Sequence, residues 1–345
     1  MAGTGKAHLR STGTVLRAED LVVEFPLRGG KRVHAVSGVD FDILPGETLA
    51  LVGESGSGKS TTAKAIVQLE KPTSGHVHFE GDDLTVLRSG ALRQVRSRLQ
   101  MVFQDPIASL NPWREVLDIV AEPLQIWRRG TRREQLDAAR TAMRSVGLDP
   151  ETMGGRRASE LSGGQCQRVS IARALMLEPR VVICDEPVAA LDVSVQAQIL
   201  NLLGDLKAQL DLSMLFISHD LAVVRMVSDR VMVMYLGKIC EVASAESLYE
   251  APSHPYTVLL LDSIPRLGQA SAAPGYGLGT EIPSPIDPPS GCRFRTRCPL
   301  ATDLCTREEP VLRKIADDHY VACHHKGSGR SDADNEVLPL SGHLD

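Results

Sequence analysis

The chain has 345 residues, 43% of them hydrophobic and 23% charged, and carries a formal net charge of −5. This composition supplies a globular core and fits one large domain or a domain with an appendage. The acidic balance excludes a general nucleic-acid binder, and no run reaches the ~18–20 apolar residues that cross a bilayer as a helix.

Residues 1–17 read as loose and polar, without the apolar segment of a secretory signal. A cytosolic chain is therefore expected, one that reaches a membrane only through a partner. DLVVEF (20–25) and VHAVSGVDFDI (33–43) predict strands, with PLRGGK as the turn between them. ETLALVG (47–53) predicts a buried strand that stops at a Gly-rich turn, and HVHFEGDDL (76–84) an edge hairpin. From about 106 to 160 the texture turns helical. In QAQILNLLGDLKAQL (196–210), Ile199, Leu202, Leu203, Leu206 and Leu210 recur at helical spacing. The apolar strands RVVICD (180–185) and SMLFIS (213–218) flank that helix, and RVMVMYLGKICEV (230–242) predicts a further hairpin. Strands alternating with helices predict an α/β fold with a mainly parallel sheet. The Gly-, Pro-, Ala- and Ser-rich stretch after about 265 predicts a linker or extended wrap, and 331–345 a disordered tail.

GESGSGKST (53–61) fits G-x-x-x-x-G-K-[ST] between a strand and a helix. Gly53, Gly56 and Gly58 let the backbone amides, with those of Ser55 and Ser57, curl around a β-phosphate. Lys59 reaches the β- and γ-phosphates, the Ser60 hydroxyl ligates Mg²⁺, and Thr61 opens a helix whose positive end favours the anion. A chance Gly-rich turn is the plain alternative, and the order of the flanking elements weighs against it. In RVVICDEP, apolar residues run into Asp185 and Glu186 at the carboxyl end of a strand, where open α/β sheets bind ligands. Asp185 is expected to hold the metal, and Glu186 to polarise an attacking water. Alone, these acids would equally suit a solvated strand end.

LSGGQCQRVSIARAL (161–175) is a second anion-binding turn, with Ser162, Gly163 and Gly164 as hydroxyl and amide donors at a helix start. The first loop already occupies one side of a phosphate. The second turn can therefore serve a nucleotide held by another subunit, so that two facing chains build two composite sites.

The set resembles the nucleotide-binding subunits of ATP-binding cassette (ABC) transporters over about residues 15–250. It comprises Walker A (53–61), FQDP with Gln104, the signature LSGGQ (161–165), Walker B (181–186), the D-loop ALD (190–192) and ISHD with His219. The resemblance implies a P-loop ABC ATPase domain over 18–252, with a RecA-like core, an antiparallel β subdomain and a helical subdomain at about 106–160. It implies that Gln104 touches the metal or water and relays to the transmembrane partner, and that His219 holds the γ-phosphate. Ser162, Gly163, Gly164 and Gln165 would face the partner's ATP, and Asp192 would link the subunits. An aromatic residue near the N-terminus would stack on adenine, with Phe25 the first candidate and His34 the second.

VFQDPIASLNPW, CDEPVAALDVSVQAQILNLL and APSHPYTVLLLDSIP resemble the peptide-importer group, and above all its second ATPase subunit. HPYT (254–257) would open that group's C-terminal extension, over 253–330, with Tyr256 and the nearby leucines as packing residues. Ala189 stands where Ser is usual, with little consequence expected. The implied assembly holds two permeases, a paralogous ATPase as heterodimer partner and an extracytoplasmic peptide-binding protein, on the cytoplasmic face of the membrane and without nucleic acid. Segment 104–125 would form part of the groove for a permease helix. Nickel or glutathione import is the nearest rival. A non-transport ATPase of the same fold fits less well, because the stretch between Walker A and the signature is too short for a long coiled coil and only one cassette is present.

Cys292, Cys298, Cys305 and Cys323 follow C-x₅-C-x₆-C-x₁₇-C, without the paired C-x₂-C of zinc ribbons. Four thiolates suit a [4Fe–4S] cluster, and the resemblance implies one. Zinc and unliganded thiols stay open, with His319, His324 and His325 as further ligands. A cluster would staple a coreless extension. The segment lies outside every nucleotide motif, so changes there are expected to spare the ATP site. Cys184 and Cys240 are expected in the core.

Overall fold

A computed structural model describes residues 5–264 and 281–325. The chain opens with two long antiparallel strands, β1 (Leu16–Pro26) and β2 (Arg32–Ile43). β3 (Thr48–Val52) is buried at every residue and stops at the Gly-rich loop before α1 (Lys59–Ile66). That helix opens at Lys59 with Gly58 as its N-cap, two residues earlier than the expected start at Thr61. Gly58 takes the left-handed conformation that a side chain resists, and this lets the chain turn into the helix there. β4 (Ser74–Phe79) and β5 (Asp82–Asp83) form the predicted hairpin. α2 (Ser89–Arg96) leads into β6 (Leu99–Val102), neither of which stands out in the sequence.

Helices α3 (Pro106–Ser109), α4 (Val116–Ile126), α5 (Arg132–Ser145) and α6 (Pro150–Met153) occupy the stretch of helical texture. Their starts are written locally. Asp105 and Asp149 cap α3 and α6 ahead of a proline, and Thr131 with Glu134 makes a capping box for α5. α7 (Gly163–Leu175) is followed by β7 (Val181–Asp185), α8 (Val193–Leu210) and β8 (Ser213–Ser218) in the expected alternation. α9 (Leu221–Val227) precedes the hairpin of β9 (Arg230–Tyr235) and β10 (Lys238–Ser244). α10 (Ala245–Glu250) and α11 (Pro255–Asp262) end the first described stretch. α12 (Asp303–Arg307), β11 (Arg313–Ala316) and β12 (His319–Val321) belong to the second.

The strands build two sheets, one ordered β2-β1-β4-β5 and one ordered β11-β12-β10-β9-β3-β8-β7-β6. In the second, β9, β3, β8, β7 and β6 run parallel, while β10, β12 and β11 add antiparallel strands at one side. Alternate residues of the parallel strands face opposite layers. Ala50, Val52, Val182, Cys184, Met214 and Phe216 join one buried cluster, whereas Leu49, Leu51, Val181, Ile183, Leu215 and Ile217 join the other. Burial on both faces explains why these strands read as continuous apolar runs. Cys184 and Cys240 are buried, as expected. On α8 the buried set is Ile199, Leu200, Leu203 and Leu206. Leu210 of the predicted stripe is exposed at the helix end, where left-handed Asp211 turns the chain.

Two terminal regions differ from expectation. Within the stretch read as loose, His8 is buried against the Asp40 carbonyl at 2.8 Å, and Arg10 pairs with Asp42 and Glu47 at 3.1 and 3.0 Å. The buried carboxylates on β2 and before β3 recruit it. Nor is the C-terminal segment coreless. Phe294 is buried in the main cluster, with Tyr235 and Tyr256 at ring distances of 5.2 and 5.4 Å. Fully buried Glu241 accepts the Ser253 and His254 amides at 2.7 and 2.9 Å and meets His319 Nε2 at 2.6 Å. The residues expected as linker and tail, 265–280 and 326–345, lie outside the described residues.

Candidate active site

The loop 53–58 is shaped by contacts that leave no room for side chains at two glycines. A Cβ on Gly53 would lie 2.1 Å from the Met234 carbonyl, and one on Gly58 2.2 Å from the Ala35 carbonyl. β9 and β2 thus clamp the loop against the sheet. Its remaining amides and the first turn of α1 form a concave set of donors. Lys59 Nζ lies inside the arc and donates to the Gly53 and Glu54 carbonyls at 2.8 and 3.0 Å. Burial lowers the Lys59 ammonium below its ordinary range, while the Glu186 and Asp185 carboxylates oppose the shift. Ser57 Oγ is buried without a hydrogen-bond partner among the described residues. An orphaned hydroxyl, a cradle that admits no Cβ and a buried cation suit a polyphosphate.

Asp185 and Glu186 sit where β7 ends. Ser60 Oγ donates to Asp185 Oδ1 at 2.9 Å, which brings two of the three predicted Mg²⁺ ligands together. Burial raises the Asp185 carboxyl above the usual range, and the Ser60 hydrogen bond opposes this. A bound cation would bring the carboxyl back down. Glu186 takes a left-handed backbone conformation and donates its amide to the Ile217 carbonyl at 3.0 Å. Its carboxylate is a hub. Gln104 Nε2 donates to Oε2 at 2.9 Å, His219 Nδ1 lies 3.3 Å from Oε2, and Lys59 Nζ lies 3.9 Å from Oε1. Residues from four motifs thus meet around one carboxylate.

The signature turn lies elsewhere. Ser162 caps α7 in a reciprocal pair with Gln165: the Gln165 amide donates to Ser162 Oγ at 3.3 Å, and the Ser162 amide to Gln165 Oε1 at 2.9 Å. α7 packs on α3, α4, α5, α8 and β6, whereas α1 packs on β1, β2 and β7. A Cβ on Gly164 would lie 2.6 Å from Val195 Cγ1, so this turn abuts α8 just past the D-loop. Asp192 stands exposed at the N-cap position of α8 and makes no side-chain capping bond. Of the adenine candidates, Phe25 is half-buried against the core opposite Val33, while His34 Nδ1 is held 2.8 Å from Glu24.

Two relatives decide the family. The chain is 47% identical over 320 residues to the oligopeptide transport ATP-binding protein AppF of Bacillus subtilis, covering 90% of this chain and 97% of the other. It is 47% identical to the di/tripeptide transport ATP-binding protein DppF of Pseudomonas aeruginosa, covering 90% and 98%. It belongs to the ATP-binding subunits of ABC transporters, in the oligopeptide/dipeptide transporter family. The ABC transporter profile matches residues 36–189, and the oligopeptide/dipeptide transporter C-terminal region matches 240–305. A peptide import ATP-binding protein of Brucella ovis is 51% identical over 285 residues, covering 83% of this chain and 90% of that one. Among solved structures, the dimeric ATP-binding cassette MJ0796 bound to ADP and Pi matches with a TM-score of 0.62 and 29% identity, over 67% of this chain and 98% of that one. As an ABC ATPase, the chain binds ATP with Mg²⁺ and hydrolyses it to drive transport through transmembrane permease partners. No helix among the described residues is long and apolar enough to cross a membrane.

The four C-terminal thiols of this ABC subunit all fall within residues 292–323. Burial pushes Cys292 and Cys298 up to about 11, and nearby Cys305 and Cys323 reinforce the rise in both. Among the described residues no three His, Cys, Asp or Glu side chains are arranged to hold a metal ion.

One functional contact escapes sequence reasoning. Arg297, next to Cys298, forms a two-pronged ion pair with Glu54 of Walker A, at 2.6 and 2.9 Å. Tyr256 OH accepts the Glu54 amide at 2.8 Å, so Tyr256 does more than pack. The expected separation between the Cys segment and the nucleotide motifs is therefore absent from the fold. The signal was an acidic residue inside a loop built for a polyanion, which demands a cation nearby.

Proposed function

We propose that this chain is one of two paralogous ATPases that power di- and oligopeptide uptake from the cytoplasmic face of the membrane. The two would pair as a heterodimer beneath two permeases, with an extracytoplasmic binding protein delivering peptide. The observation that carries the reading is the convergence of Gln104, His219 and Lys59 on Glu186, in a chain whose residues 240–305 match the peptide-transporter C-terminal region. Residues 18–252 would be the nucleotide-binding domain, with 106–160 as its helical subdomain and 253–330 as the extension.

In this reading the amides of 53–61 and Lys59 bind the β- and γ-phosphates, with Phe25 stacked on adenine. Ser60, Asp185 and Gln104 hold Mg²⁺, which neutralises phosphate charge when bound. Glu186 takes the proton of the attacking water, and His219 orients that water against the γ-phosphate. Ser162, Gly163, Gly164 and Gln165 complete the partner's site, and Asp192 bridges the two chains. Exposed Ile107 and Trp113 support a permease-docking role for 104–125. Cys292, Cys298, Cys305 and Cys323 would hold a [4Fe–4S] cluster, a reading supported by the presence of four thiols in one short segment.

Reconstitution of the full assembly in proteoliposomes tests this. Uptake of labelled di- and tetrapeptides that needs ATP and the binding protein is expected. ATP-dependent uptake of nickel or glutathione without peptide would replace the cargo. Recovery of this ATPase as the sole cassette would replace the heterodimer.

A further inference from the structure

We propose that Arg297 is a positioning residue of the phosphate loop, acting with Tyr256 on Glu54 so that ATP affinity depends on the docked C-terminal segment. The inference rests on 53–61 being the ATP site. Every hydrogen-bonding group of Glu54 is committed. Its amide donates to Tyr256 OH at 2.8 Å, its carbonyl accepts from Lys59 Nζ at 3.0 Å, and its carboxylate binds both terminal nitrogens of Arg297. Two of these three partners come from beyond residue 253, more than 200 residues from Glu54 in the chain.

The pair is built to persist. The Arg297 side chain is 3% exposed and that of Glu54 17%. The guanidinium also lies 5.6 Å from the centre of the Tyr235 ring and 6.0 Å from that of Phe294. Tyr235, Tyr256 and Phe294 pack edge-on or tilted around it, with centroid distances of 4.7–5.4 Å. A planar, permanently charged fork matches a carboxylate on two points and stacks on aromatic faces, which Lys does not reproduce.

The electrostatic reason for the device is simple. A carboxylate within the phosphate loop repels ATP, and the buried guanidinium paired with it cancels that charge while anchoring the loop at Glu54. Coupling is reciprocal, so ATP in the loop also favours the docked segment.

The test uses the purified full-length chain, titrated with a fluorescent ATP analogue and competed with ATP. Arg297→Gln should weaken ATP binding about tenfold, with Arg297→Lys in between. Adding Glu54→Gln to Arg297→Gln should recover much of the loss, because the unpaired charge is gone. In the assembled transporter, the KM for ATP should rise while kcat stays within about twofold. Should Arg297→Gln fail to fold, Tyr256→Phe removes a single hydroxyl and is read in the same titration, with weaker binding expected. Hydrogen exchange at 292–298 should slow when ATP is added. Unchanged affinity in both Arg297→Gln and Tyr256→Phe overturns the proposal. So does a loss that Glu54→Gln fails to recover, which would make Arg297 an anchor of the fold alone. Unchanged affinity in Lys59→Ala would instead reject the loop as the ATP site.

Discussion

Glu186 Oε2 accepts a hydrogen bond from Gln104 Nε2 at 2.9 Å, joining the end of β7 to the segment that follows β6. A side chain from the stretch expected to meet a permease thereby touches the carboxylate expected to activate water. In the proposed function, this contact would link hydrolysis to the helical region.

Replacing that carboxylate should separate binding from turnover. Glu186→Gln keeps a hydrogen-bonding group of the same size but cannot take a proton. Turnover in the assembled transporter should fall by about 10²–10⁴, with ATP binding retained and closed dimers trapped. Near-normal ATPase activity would remove Glu186 from the role of base.

The isolated chain should hydrolyse ATP poorly. Its phosphate loop and its signature turn stand on helices that pack against different elements, and in the proposed function each chain supplies only half of a composite site. Dilution of the purified subunit should leave ATP bound but unhydrolysed. A monomer as fast as the full complex would refute the composite site.

Gly164→Ala probes the signature turn by crowding. The added methyl would sit 2.6 Å from Val195 Cγ1, forcing α7 and α8 apart. ATP affinity of the subunit should hold, because the loop 53–61 is untouched, while ATPase activity of the assembly falls. Weakened ATP binding with turnover per bound ATP unchanged would contradict the separation of the two turns.

The cysteines make a spectroscopic prediction. Protein purified without oxygen should be brown, with broad absorbance near 400 nm and about four irons per chain. Cys298→Ser should lower the iron content. Because Arg297 adjoins Cys298 and holds Glu54, this substitution should also weaken ATP binding, contrary to what position in the chain alone suggests. Colourless protein with stoichiometric zinc would replace the cluster, and four freely alkylated thiols with neither metal would reject both.

The parallel core was legible because its strands are apolar on both faces and its motifs fall at their ends. β6 was hidden, since LQMV is short and carries a half-buried Gln100. β11 was hidden because RKIA is mostly exposed and draws its order from pairing with β12. The docking of His8 depends on a carbonyl 32 residues away, that of Arg10 on carboxylates 32 and 37 residues away, and that of Arg297 on a carboxylate 243 residues away. Periodicity and motif spacing register neighbours along the chain. They are blind to pairings that only the folded sheet brings together.

The strand β12 has a consequence for how this subunit can be dissected. It pairs with β10 through Glu241 and Val242, and β11 covers β12 in turn. Deleting everything after 252 would strip β10 of one of its two neighbours and leave an open row of amides and carbonyls, the kind of edge that recruits other chains into aggregates. It would also strand the Glu241 carboxylate in an apolar interior without His319 and the amides of Ser253 and His254. A cassette trimmed to its nucleotide motifs should therefore precipitate where the full chain stays in solution. The end of the nucleotide motifs is a poor place to cut.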